Sequence, residues 1–198
     1  MKFRKLTNTH AGRIVLAAVP VAVAATLIMG GVANGAVPVS FSVSGSQFQI
    51  SASLLEGSGF SQYAGVTNDT AGKAHPVAIA NIRSAKLSDL CQSVVTDTPL
   101  GKVGMLITAG GGDKPAEASD LQIGMTDLKG DSSFGNIRIG VDASTVNTSA
   151  KGAAGDFAQD ADTIKITGLQ QTAWSTQASV FTLNGMHVQL TDGSKGCF

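Results

Sequence analysis

Residues 37–55 read VPVSFSVSGSQFQISASLL, and this stretch decides the fold. Apolar and polar side chains alternate along most of it, from Val37 to Val43 and again from Phe48 to Leu54. A period of two residues is typical of β-strands with one buried face. Gly45-Ser46 interrupts the alternation and predicts a two-residue turn or a bulge between two strands.

Strand-like patterns continue to the end of the chain, and no stretch after position 36 has a sustained helical period. Residues 85–95 are interpreted as a strand or a short helix, and Asn184-Gly185 predicts a hairpin turn. Two stretches of small and polar residues, 56–76 and 147–155, are predicted to be loops. The fold class is therefore all-β: a single antiparallel-rich sandwich, barrel or β-solenoid. The remaining predicted strands are 77–82, 103–109, 120–128, 135–142, 162–168, 172–183 and 186–190.

An apolar segment, Ile14–Val32, precedes this β-domain and has the pattern of an export signal. Its length is also close to the roughly 20 apolar residues of a membrane span. We therefore expect either cleavage before Ala36 or retention as a membrane anchor. Residues 1–35 form the signal peptide or anchor helix, and residues 36–198 form a domain exported to the cell envelope or the medium. The basic residues ahead of the apolar segment are Lys2, Arg4, Lys5 and Arg13.

The charge of the exported part argues against polyanionic partners. The whole chain has 14 basic and 14 acidic residues, but four basic residues lie in the export segment, so residues 36–198 carry a net charge of −4. A mildly acidic domain with no basic cluster is a poor nucleic-acid binder, and no nucleic-acid partner is predicted. Such a domain is also a poor electrostatic match for anionic lipid surfaces.

The two cysteines, Cys91 and Cys197, are predicted to form one disulfide. An even cysteine count in an exported domain favours pairing, since export leads to an oxidising compartment. The bond would tie the C-terminal tail to the middle of the domain.

The sequence offers no complete catalytic or metal-binding motif. Gly130-Asp131-Ser132 resembles the block of one lipase family. The chain lacks the second motif of that family, an Asp-x-x-His near the C-terminus. His75 is predicted to lie in a loop, and His187 is predicted to face solvent. Cys and His lack zinc spacing, so no metal site and no cofactor are predicted. An acidic cluster without a calcium-loop pattern is interpreted as a solvated loop; its members are Asp156, Asp160 and Asp162.

Three aromatic residues are candidates for contact with a ligand or partner. Trp174 is the sole tryptophan; such a residue in a β-domain belongs either to the core or to a ligand cavity or interface. Tyr63, the sole tyrosine, and Phe60 lie in the predicted loop 56–76.

Six phrases in order resemble a family of exported actinobacterial proteins of about 200 residues and unknown function, some of which carry the label "cholesterol esterase". The resemblance covers nearly the whole chain and implies that both cysteines belong to the common pattern. It also implies a small multi-spanning membrane protein as a functional neighbour. No motif of this chain matches a catalytic residue for the esterase label. The phrases are FSVSG (41–45), GFSQY (59–63), LCQSVV (90–95), GDKP (112–115), QTAW (171–174) and the terminal CF (197–198).

These observations favour a non-enzymatic protein of the cell envelope. Its apolar strands carry Ser, Thr, Gln and Asn on the opposite face, which suits close packing against another surface. We expect it to bind an apolar or lipid ligand or a membrane-protein partner. One alternative is hydrolysis of sterol or lipid esters, which requires Ser132 or another serine close to a histidine. A second alternative is a structural envelope protein that self-associates as a homo-oligomer through an exposed strand edge.

Overall fold

A computed structural model describes residues 43–99 and 101–198, and almost all of this part is antiparallel β-sheet. The all-β prediction is confirmed. The predicted segment Ile14–Val32 and the cleavage site before Ala36 lie outside the described residues. The strands are β1 (Phe48–Asn68), β2 (Ala74–Ser88), β3 (Leu90–Thr98), β4 (Gly101–Ala109), β5 (Ala116–Gly135), β6 (Arg138–Asp142), β7 (Phe157–Gln177), β8 (Val180–Thr182) and β9 (His187–Thr191), with a 3₁₀ turn at Ala143–Thr145.

Strand β1 is the centre of the sheet. On one side it pairs with β7 in an unbroken register from Phe48–Ala173 to Tyr63–Ala158. On the other side its C-terminal part pairs with β2 and its first residues pair with β3. Leu54 opposite Ser88 and Ser51 opposite Cys91 belong to the same register, so β2 and β3 act as one long strand along β1.

The strand pairings close into a ring with an open extension. Strands β1, β2, β5 and β7 form the ring, because β7 pairs with both β5 and β1. Among the three predicted architectures, this closed ring corresponds to the barrel. Strands β3, β4 and β9 continue outward from the start of β1 as a three-stranded extension, which we call the wing. Strand β6 lies beside β7, and β8 pairs with β5.

The long strands bend at two levels. At each level, residues that lie opposite one another in neighbouring strands form a row across the sheet. One row passes through Ser53, Asp89 (φ 51°), Gly110 (φ 73°) and Gly168 (φ 64°), which lie opposite one another in neighbouring strands. A residue in the left-handed region breaks the two-residue alternation and turns the strand. In β1 the buried positions accordingly shift phase across this row, from Ile50 and Ala52 to Leu55. A second row passes through Gly59 (φ 67°), Arg83, Asp120 (φ 48°) and Asp162. The rows let the sheet wrap around one core.

Hydrogen bonds join the strands along the first row. Ser53 Oγ donates to Asp89 Oδ2 at 2.6 Å, and Asp89 N donates to Gly110 O at 2.9 Å. Gly110 N then donates to Asn184 O at 2.7 Å, and the Asn184 side chain donates to Pro115 O at 2.8 Å. The turn at Asn184 thus fits against the loop that follows β4.

The hairpin predicted at Asn184-Gly185 is wrong. The flanking strands do not pair with each other: β8 pairs with β5 and β9 pairs with β4. The turn is present, but its Asn184 carbonyl accepts a hydrogen bond from Gly110 N. Each flanking strand therefore pairs with a strand from earlier in the chain instead of with the other flanking strand.

The loop predicted over 56–76 is also wrong. Strand β1 runs to Asn68 and β2 starts at Ala74, so only the tip between them is loop. Gly57 and Gly65 lie under the side chains of Ile82 and Ile79, where a Cβ atom would clash. Pairing on both sides of β1 overrides the loop-like composition of this stretch. Residues 85–95 contain the end of β2 and the start of β3, so the strand interpretation is confirmed and the short helix is not.

The disulfide between Cys91 and Cys197 is present, with Cα atoms 5.7 Å apart. The tail crosses one face of the wing to reach it. Cys197 N donates to Ser93 Oγ at 3.1 Å and to Gln49 Oε1 at 3.3 Å. The bond therefore holds the last residues of the chain against β3 and β1.

Substitution of Gly110 by alanine is expected to destabilise the fold more than the same change at Gly112. A Cβ at Gly110 would lie 2.6 Å from both Ala116 N and Leu87 O, whereas Gly112 has open space around it at a similar φ of 67°. We expect a loss of about 2–5 kcal/mol for Gly110→Ala and about 1–2 kcal/mol for Gly112→Ala. Urea unfolding of both variants measures the difference, and equal losses would contradict the close packing at Gly110.

Removal of the disulfide is expected to lower the free energy of unfolding by about 2–5 kcal/mol, because the bond closes a long loop. The double variant Cys91→Ala/Cys197→Ala should unfold at a lower temperature than the oxidised wild type. Wild type treated with a reductant should match the double variant, which itself should not respond to the reductant. An unchanged unfolding temperature in the double variant would rule out a stabilising role.

Candidate functional site

His75, Asp69 and Trp174 form a compact cluster at the tip of the β1–β2 hairpin. His75 Nε2 lies 3.1 Å from Asp69 Oδ2, and the imidazole ring stacks on the Trp174 indole with centroids 3.8 Å apart. His75 lies on β2 and is only 8 % exposed, so its predicted place in a loop is wrong. The tip folds back because Asp69 Oδ1 accepts hydrogen bonds from Ala71 N and Lys73 N.

The backbone on either side of Asp69 pairs with Val43, the first described residue. Val43 pairs with Asp69, and Val43 N donates to Asn68 O at 2.9 Å. The hydrogen bond from His75, followed by that from Lys73 N, lowers the pKa of Asp69 below its ordinary value. The cluster joins the end of β1 to β2 and β7. Within it, His75 Nε2 and the Asp69 carboxylate are hydrogen-bonded to each other. We interpret it as a structural clamp.

The arrangement required for ester hydrolysis is not assembled in the described residues. Ser132 lies exposed on β5 opposite Ile166, and His187 lies exposed on β9. Within residues 43–99 and 101–198, no serine hydroxyl forms a hydrogen bond to an imidazole. Ser132 therefore has neither of the partners that would activate it as a nucleophile.

The three aromatic candidates occupy three separate places. Phe60 lies in the main core, with its ring centroid 5.4 Å from that of Phe134. Tyr63 is buried in a second cluster under the 3₁₀ turn. Burial raises the pKa of its hydroxyl, and a hydrogen bond with Asn81 lowers that pKa by a smaller amount. Trp174 is half-buried against His75. The structure does not bring them together into one surface.

The solvated loop predicted for the acidic cluster is wrong for Asp160 and Asp162, which lie on β7, whereas Asp156 lies exposed in the loop before that strand. Asp160 lies buried on β7, where both of its oxygens accept hydrogen bonds from the Arg138 guanidinium. These hydrogen bonds from Arg138 are the largest cause of the lowered pKa of Asp160. Asp162 accepts a hydrogen bond from Asn136. No group of side chains in the described part of the chain is arranged to hold a metal ion.

One face of the wing forms an apolar surface that we call the open face. Opposite residues in an antiparallel pair share a face, as do alternate residues of a strand. The register therefore places three rows of side chains on this face, and every position but Gln92 is apolar. The rows are Ala52, Leu90 and Ala109; Ile50, Gln92, Ile107 and Val188; and Phe48, Val94, Met105 and Leu190.

Burial on the open face decreases from β1 toward the outer strand. Ile50 and Leu90 belong to the main core. Met105 on β4 is exposed, and Leu190 on β9 is 72 % exposed. The sequence predicted these strands with one buried face, but it held no signal that the end of the sheet would lack a covering layer.

A buried polar group lies beside this surface. Gln171 is opposite Ile50 on β7 and is 2 % exposed. Its Nε2 atom has no hydrogen-bond partner among residues 43–99 and 101–198. An unpaired buried donor costs about 1–3 kcal/mol, so an acceptor oxygen placed near it would be stabilising.

A model of a family of unknown function, DUF6230, matches residues 44–198. The chain belongs to this family. The DUF6230 match includes both cysteines and the whole open face, and it begins after the predicted export segment. No match was found among curated proteins, and none was found among solved structures. Within the described residues, no helix is both long and apolar enough to cross a membrane.

Substitution Asp69→Asn is expected to flatten the dependence of stability on pH in acid. A carboxylate whose folded pKa is lowered stabilises the fold above its unfolded pKa of about 3.9, and that stability is lost as pH falls through the folded pKa. Wild type should thus lose more stability below about pH 5 than the variant does. Urea midpoints measured from neutral pH into acid test this, with Trp174 fluorescence as the probe.

The matched control is Asp113→Asn in the exposed loop after β4, which removes one carboxylate away from the cluster. Its acid dependence should follow that of wild type. If Asp69→Asn keeps the wild-type slope as well, the clamp does not contribute to acid stability.

Proposed function

We propose that this protein is a non-enzymatic, exported protein of the cell envelope that binds the acyl chain of a neutral amphipathic lipid on the open face of the wing. The observation that carries the proposal is the apolar face of β4 and β9, which no described element of the chain covers. Main-core residues form its inner edge, and exposed side chains form its outer part.

The exposed side chains of the open face suit contact with an apolar ligand. Three large apolar side chains are exposed on neighbouring positions: Met105 lies opposite Leu190, and Val188 lies opposite the half-buried Ile107. Complete burial of one such side chain contributes about 1.5–3 kcal/mol. A contiguous exposed apolar patch of this kind is typical of a binding surface.

The polar groups near the face define the ligand further. None of the three rows carries a charged side chain, and the exported part of the chain has a net charge of −4. An anionic headgroup would gain no ion pair on these rows. Gln92 supplies an amide that can bond to an ester or hydroxyl oxygen, and Gln171 carries an unpaired donor nearby. These features favour a ligand with an uncharged or zwitterionic polar end.

Export is supported by the covalent chemistry of the domain. The Cys91–Cys197 bond is of the type that persists in oxidising compartments. The charged and apolar pattern of residues 1–35 supports the same location.

Substitution Leu190→Glu is expected to reduce lipid contact at the wing at least tenfold, since a carboxylate would have to be desolvated against an acyl chain. The full chain is incubated with phosphatidylethanolamine vesicles that contain a photoactivatable acyl chain, and crosslinked residues are located by mass spectrometry. Wild type should be labelled on β4 and β9.

Ile139→Glu is the matched control, because Ile139 on β6 is 66 % exposed and lies away from the wing. It should leave the labelling of β4 and β9 unchanged. Labelling confined to residues 14–32 in wild type, or equal labelling of the wing in Leu190→Glu, would refute the proposal.

A further inference from the structure

We propose that β9 is the interface through which two copies of this chain associate, by antiparallel pairing of β9 with β9 of the second copy about Gln189. Strand β9 pairs with β4 alone among the described strands, so one of its edges has no neighbour. An edge of this kind presents backbone N–H and C=O groups to any strand of matching length.

Strand β9 differs from the other free edges in lacking protection against pairing. Strand β6 carries Arg138 and Asp142 and has a register irregularity between Ile139 and Val141. Strand β8 is only three residues long. Strand β9 has the sequence HVQLT, pairs with β4 without a bulge, and contains no Lys, Arg, Asp, Glu or Pro. Charges, bulges and short length are the usual devices that block edge pairing, and β9 has only its modest length.

The sequence of β9 is complementary to itself. With Gln189 on the twofold axis, Val188 of one copy lies opposite Leu190 of the other, and His187 lies opposite Thr191. The pairing brings no like charges together, and it covers part of Leu190, the most exposed large apolar side chain of the described residues. The two open faces then join on the same side of one continuous sheet.

The C-terminal tail leaves this edge accessible. After β9 the chain turns back over β4, where Gly193 packs against Val95 and Lys102. Gly196 then lies against Gln49, and Cys197 is bonded to Cys91. The disulfide thus keeps the tail on the inner strands of the wing and away from the outer edge of β9.

The test uses the side chain that meets itself across the twofold axis. Gln189 is exposed and points away from the open face, because it alternates with Val188 and Leu190. In the proposed register the two Gln189 Cα atoms lie about 4.5–5.5 Å apart. Gln189→Lys and Gln189→Glu each place like charges at this position, while a mixture of the two variants places opposite charges there.

The expected results are read from sedimentation equilibrium of the full chain in density-matched detergent. Wild type should reach the mass of a dimer between about 1 µM and about 1 mM, the range of weak interfaces. Each variant alone should associate at least tenfold more weakly, and the equimolar mixture should recover dimers. Thr167→Lys, on the exposed face of β7 with neighbours on both sides, should associate like wild type.

A monomeric wild type would overturn the inference, as would single variants that dimerise like wild type or a mixture that stays monomeric. The Gln189 variants leave the side chains of the proposed lipid surface unchanged, because Gln189 lies on the opposite face. Wing labelling by lipid in a monomeric protein would refute the interface alone, and a charge-dependent dimer without labelling would refute the lipid surface alone.

Discussion

The fold depends on the two rows that cross its strands and that contain five residues in the left-handed region. A continuous antiparallel sheet with strands as long as β1 and β7 cannot bury both ends of one face in a single core unless it bends. The bends must occur at the same level in neighbouring strands, or the hydrogen bonds between them would be lost. Asp89 and Gly110 satisfy this requirement together, since they are paired and both have positive φ. Ring closure by β7 follows from this shared geometry.

The bends also explain why the wing lies outside the ring. Once β1, β2, β5 and β7 have closed around the core, the first residues of β1 still carry β3, and β3 carries β4 and β9. The inner side of these strands continues the apolar surface of the core, but the ring does not extend over them. The open face is therefore a direct result of a sheet that is wider on one side of the bend than on the other.

Local pattern predicted the strands well and their partners poorly. Alternation from Phe48 to Leu54 specified a strand with one buried side, and the cysteine count was sufficient for the disulfide. The serines and glycines of 56–76 have low strand propensity and predict a loop, whereas β1 gains its stability from neighbours on both sides. His75 and Trp174 gave no sign of their contact, because their proximity arises only when the ring closes. Asn184-Gly185 has the chemistry of a hairpin turn, but that chemistry does not determine which strands pair.

The tail that crosses the wing has a consequence for the order of events during synthesis. Cys197 N donates a hydrogen bond to Gln49 Oε1, so β1 meets the C-terminal tail. Contacts of such high sequence separation slow folding, because the entropy of closing a long loop must be overcome before they form. These contacts can form only after Cys197 has emerged during synthesis.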